Sequence, residues 1–104
     1  MKLKKGVSLR NIRPQINVAL AIANDVYADR GYELVVTSVN DGKHSTTSLH
    51  YDGAAADLRT RHLGDQTIAI GIVENLREQL GPDFDVILES DHIHLEWQPK
   101  RASG

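Results

Sequence analysis

Residues 84–97, FDVILESDHIHLEW, alternate apolar and polar side chains in two runs separated by Ser90-Asp91. A period of two is the signature of a half-buried strand, and two such runs with two residues between them predict a β-hairpin. Ser-Asp is not a favoured pair for so tight a turn, so the register rests on the alternation. That register sets Phe84 opposite Trp97, Val86 opposite Leu95 and Leu88 opposite Ile93, all on one apolar face. The other face carries Asp85, Ile87, Glu89, His92, His94 and Glu96, with Glu89 across from His92. A hairpin with one core face and one face rich in imidazole and carboxylate needs partners that cover only the first.

Two amphipathic helices supply that cover. Over residues 14–30, Ile16, Ala19, Leu20, Ala23, Val26 and Tyr27 recur at spacings of three and four, Pro14 suits a first turn, and Gly31 suits the C′ position. Over residues 66–80, Ile68, Ile72, Val73, Leu76 and Leu80 share a face, with Asp65 as N-cap and Gly81-Pro82 as terminator. Gly71 is the weak point of that helix. Between the two, residues 33–39 (ELVVTSV) read as a short strand followed by the turn residues Asn40-Asp41-Gly42. The expected fold is α+β, two helices packed on a small antiparallel sheet, in a single domain over residues 1–104. Its ordered core is expected at about 8–98, with a polar tail at 99–104.

Composition bounds the rest. A chain of 104 residues with 40% hydrophobic and 25% charged side chains holds one modest core. The longest apolar stretch, residues 18–23, is far short of the roughly 20 needed for a membrane span. A net charge of -2 argues against nucleic acid as a partner, although Lys2, Lys4, Lys5, Arg10 and Arg13 make the start locally basic. That run is expected to be a solvated tail. Without cysteine, a metal must be held by His, Asp or Glu. The start also lacks the apolar core of a secretory signal, which leaves localisation unknown.

The second polar cluster is SLHYDGAAAD, residues 48–57. His50 and Asp57 lie an odd number of residues apart, so they meet only if the chain bends, for which Asp52-Gly53 is suited. Ala54, Ala55 and Ala56 would let backbone pack closely behind a site. One imidazole, one carboxylate and a second imidazole from the hairpin would make a three-ligand, open zinc site.

The run SxHxxGxAxD, with the later ESDHIH, resembles the zinc peptidases that cleave D-Ala-D-Ala and related peptidoglycan peptides, a superfamily that includes the hedgehog signalling domain. The likeness is greatest to the hedgehog version and its small phage-borne relatives. It implies one Zn2+ per chain held by His50, Asp57 and His94. His92 then stands beside the metal as hydrogen-bond partner or proton carrier. Some members use Glu-x-x-His instead, and Glu89 to His92 fits that element too, which would make His92 the ligand. Glu89 is the candidate general base, with Asp91 as the other. Ser48 resembles a substrate-binding position. Relatives place an arginine upstream of the motif; here that stretch offers Lys43 and His44 as substrate-binding candidates. The implied function is hydrolysis of peptidoglycan stem peptides by a monomer that reaches the cell wall through a phage or bacterial delivery route. The rival is a non-catalytic hedgehog-like zinc module that binds a peptide or protein partner.

Simpler readings stand beside these. His62 has no partner pattern and reads as structural, and His44 fits an ordinary turn equally well. Glu96 and Asp85 read as solvated strand residues. Arg59 and Arg61 read as salt-bridging or as contacts for an anionic peptide. Glu89 and His92 suit a purely structural ion pair across the hairpin.

Overall fold

The computed structural model describes residues 1–10, 12–40 and 54–99. In chain order it has β1 (Lys2–Leu3), α1 (Pro14–Asp29), β2 (Val35–Asn40) and β3 (Ala55–Arg59). A 3-10 turn (Arg61–Leu63) then leads to α2 (Gln66–Leu80), β4 (Phe84–Leu88) and β5 (His92–Trp97). The strands form one sheet in the order β1-β2-β3-β5-β4. The architecture is α+β, two helices on a small five-stranded sheet.

The terminal hairpin has the register expected from its alternation, Phe84 opposite Trp97 through Leu88 opposite Ile93. The Glu89 N–H donates to the His92 carbonyl at 2.8 Å and closes the two-residue loop. α2 has the expected bounds, and α1 starts as expected and ends one residue earlier, at Asp29. Pro14 opens α1, and Gly31 follows it at φ 82°. The Asp65 carboxylate accepts from the Thr67 N–H at 2.9 Å, satisfying one of the donors that the first turn of α2 leaves unpaired.

The sheet is mixed, not wholly antiparallel. Lys2 and Leu3, expected in a solvated tail, pair in parallel with Val35 and Val36. Two parallel neighbours need a crossover connection, and α1 provides it, so the basic N-terminus is held at one sheet edge. The opposite edge is β4, where Arg77 of α2 donates through Nε and Nη2 to the Val86 carbonyl at 3.0 and 2.7 Å. That contact occupies an acceptor an edge strand would otherwise offer to another chain.

Both helices pack on one sheet face. Ile16, Leu20 and Tyr27 of α1 and Ile72 and Leu76 of α2 join Val36, Leu58, Ile93 and Leu95 in a single cluster, each at most 1% exposed. Full burial of a Leu or Ile side chain contributes roughly 1.5–3 kcal/mol. Tyr27 meets its polar requirement by donating to the Arg59 carbonyl at 2.9 Å. His62 is structural as expected: Nε2 lies 2.7 Å from the Glu33 carbonyl and the ring stacks on Tyr27 at 6.1 Å. Among the described residues no helix is long and apolar enough to cross a membrane.

Candidate functional site

Strand parity builds the site. Residues 55–59, of which 55–57 close the polar cluster of the motif, form the central strand β3, with Ala54 and Ala56 buried towards the helices. Successive strand residues point to opposite faces, so Asp57 and Arg59 emerge on the side away from the helices. The β3–β5 register places Asp57 opposite His94 and Arg59 opposite His92. A bulge between Val36 and Ser38 brings Ser38 opposite Asp57, and Thr37 donates to the Asp57 carbonyl at 3.4 Å. Bulges of this kind commonly re-aim side chains beside a site.

The contacts on this face centre on His94. Its Nδ1 lies 2.9 Å from Asp57 Oδ1, and its Nε2 lies 2.9 Å from Glu96 Oε1. Glu96 is held in turn by the Gln98 side-chain amide. His92 points its Nδ1 at Asp91 Oδ1, 2.7 Å away, and its Nε2 stands 3.8 Å from Asp57 Oδ1. The side chains of Asp57, His92, His94 and Glu96 are all half-buried, between 27% and 30% exposed.

Burial is the largest single influence on His94 and disfavours its charged form, but the hydrogen bonds and charges of Glu96 and Asp57 together outweigh it. Its pKa is raised above the ordinary imidazole value. An imidazole with a carboxylate on each nitrogen donates on both sides only when protonated. At Asp91 the His92 hydrogen bond holds the carboxyl below its ordinary value.

Two of the three implied zinc ligands, Asp57 and His94, therefore converge. The third, His50, lies outside the described residues, as do Ser48, Lys43 and His44 and the Asp52-Gly53 bend. Among the described residues no group of three His, Asp or Glu side chains is arranged to hold a metal ion. The donor chemistry of Asp57 and His94 suits zinc. Ligands at bond lengths of about 2.0–2.2 Å in a tetrahedron stand roughly 3.3 Å apart, a few tenths of an ångström beyond the 2.9 Å between these atoms. With Nδ1 facing the metal, Nε2–H would donate to Glu96, the carboxylate–histidine arrangement that orients metal-bound imidazoles.

Two expectations change. Glu96 is the partner of His94 rather than a solvated strand residue; it lies two residues from His94 on the same face, and that parity was the available signal. Among the described residues no ion pair joins Glu89 to His92, because His92 turns to Asp91. Glu89 lies just beyond β4, exposed, at the turn end of the polar face. No family model, curated protein or solved structure matches this chain.

Proposed function

We propose that this protein is a zinc-dependent peptidase acting on peptidoglycan stem peptides. The observation that carries the reading is the convergence of Asp57 and His94 across β3 and β5, with Glu96 bonded to the far nitrogen of His94. It joins the residue motif to a place in the fold where two of its ligand positions touch. Zinc, when bound, supplies a Lewis acid that activates water and polarises a peptide carbonyl.

This chain's residues do the rest. Asp57 and His94 would hold the metal together with His50, and Glu96 accepts a hydrogen bond from the Nε2–H of His94 and fixes its tautomer. Glu89 accepts a proton from the attacking water and returns it to the departing amine. When its ring carries a proton on both nitrogens, His92 donates its Nδ1–H to Asp91 and donates through Nε2 to the oxygen that becomes negative as the carbonyl is attacked. The protein works as a monomer, and its substrate is the cell-wall peptide.

The test is a mass-spectrometric digest of purified peptidoglycan by zinc-loaded protein beside a chelator-treated sample. A new stem-peptide product that chelator abolishes supports the reading and names the bond. A zinc-holding protein that yields no product from several wall chemistries overturns it. That result would favour a non-catalytic zinc module, a reading that draws on His92 Nε2 lying 3.8 Å from Asp57, near enough to complete the coordination shell.

A further inference from the structure

The parallel pairing of β1 brings the N-terminal lysines beside the imidazole-rich end of the sheet. Lys2, Lys4, Lys5, Arg59 and Arg61 line a cavity of about 490 Å³, together with Asp57, Asp91 and His92. That volume lies within the usual range for small-ligand and peptide subsites. Leaving His92 out of the count, five cations and two carboxylates leave an excess of three positive charges, in a chain whose net charge is -2.

Arg61 is near enough to Asp91 for its charge to help hold that carboxyl low, but without an ion pair. Among the described residues no ion pair joins any of the five to a carboxylate, and the lining acids are engaged by imidazoles, Asp57 by His94 and Asp91 by His92. Nor do Lys2 and Lys4 ride on a loose arm. Their N–H groups donate to the Leu34 and Val36 carbonyls, each at 2.8 Å, so the backbone that carries both ammonium groups is set before any ligand arrives.

We propose that this cavity binds an acidic peptide segment carrying at least two carboxylates. Resting on the peptidase reading above, the inference adds that the segment seats the substrate beside Asp57 and His94. The excess charge calls for more than one anion. Asp57 and Asp91 would repel a run of phosphates, and among the described residues no Phe, Tyr or Trp ring lines the cavity to stack a base, which disfavours a nucleic acid. The same two carboxylates can accept N–H donors that a peptide supplies. Arg59 and Arg61 present planar forks suited to carboxylates, and the lysines add point charges.

The experiment measures binding of a terminally blocked five-residue peptide containing two Glu residues, beside the same peptide with Gln. The Glu89→Ala protein is used, zinc-loaded and chelated, so that no substrate is consumed. The Glu peptide is expected to bind about tenfold tighter or more at low salt, with the preference shrinking as salt rises. The pairs Lys2→Gln with Lys4→Gln and Arg59→Gln with Arg61→Gln should each cut that preference several-fold in proteins whose melting is unchanged. Equal affinity for the two peptides, no binding of either, a preference that survives both double variants, or tighter binding of an oligonucleotide of equal charge would overturn the proposal. The chelated arm needs neither metal nor turnover. A charge preference with no wall product therefore counts against the peptidase reading alone, and chelator-sensitive hydrolysis without charge preference counts against this inference alone.

Discussion

Asp57 of β3 and His94 of β5 are direct cross-strand partners, and Asp57 Oδ1 lies 2.9 Å from His94 Nδ1. His92, the other histidine of the hairpin, reaches the same oxygen only to 3.8 Å and directs its nearer contact to Asp91. Zinc content should separate the two. Asp57→Ala and His94→Ala are expected to lose bound zinc, and His92→Ala to retain it. Metal analysis after equilibrium dialysis reads the result, and zinc loss confined to His92→Ala would make His92 the ligand.

In the proposed zinc site Glu96 would act on the metal through His94 and not by touching it. Replacing a carboxylate behind a metal-bound imidazole typically weakens affinity by 10–100-fold. Glu96→Gln, which keeps the shape and removes the charge at the His94 Nε2 contact, should fall in that range in a competition titration against a chromogenic chelator. Glu96→Asp should recover part of the loss; an unchanged affinity in Glu96→Gln would remove Glu96 from the site.

The fold was legible wherever one periodicity and one boundary residue coincided. Asp65 before the run of Ile72, Val73 and Leu76 marked α2, and the double alternation marked the β4–β5 register. Two elements were not. β1 is two residues long, too short for any period to register, and its pairing follows from α1 carrying the chain back along the sheet. β3 is nearly all buried, Ala55 and Ala56 beside Leu58, so the alternation that marks a half-exposed strand is muted. The site follows the same division. Asp57 and His94 belonged to a spaced motif and could be named from it. Glu96 and the lysines of the cavity belonged to none, and only pairing across the sheet brought them near.

Glu89 is positioned differently from Asp57 and His94, exposed and just outside the paired part of the hairpin. Glu89→Ala should therefore leave zinc content and melting temperature close to the parent while lowering kcat by about 10²–10⁴-fold, the usual range for a general base. Asp91→Ala, which frees His92, is expected to reduce activity less. Full activity in Glu89→Ala, with Asp91→Ala inactive, would transfer the role to Asp91.

Stability should carry an acid limb from the cap of α2. The Thr67 N–H, more than any other contact, holds the Asp65 carboxyl below its ordinary value. A carboxyl lowered in the folded state adds stability that is full above the unfolded value of about 3.9 and is lost as pH falls through the folded value. The melting temperature of Asp65→Ala should lie below the parent at pH 7, and the gap should close on acidification below about pH 4. Circular dichroism melts across that range test it, and a gap that stays constant with pH would assign the cap a purely uncharged hydrogen bond.

Gly71 sets two opposing effects against each other. Alanine is favoured over glycine inside a helix by about 0.8–1.0 kcal/mol. A Cβ at Gly71, however, would meet the Arg30 guanidinium, with Nη2 at 2.8 Å and Cζ at 3.0 Å. Arg30 caps the end of α1, so its side chain crosses from one helix to the other at this glycine. The atoms in the way are the far end of a flexible chain, which can move aside with the loss of a surface contact worth at most about 1 kcal/mol. Gly71→Ala should therefore change unfolding free energy by less than about 1 kcal/mol in either direction. In an Arg30→Ala background the obstacle is gone, and the same substitution should stabilise by the full helix preference. Denaturant titrations of the two single variants and the double variant measure the coupling, and identical effects in both backgrounds would mean that Arg30 does not rest on Gly71 in solution.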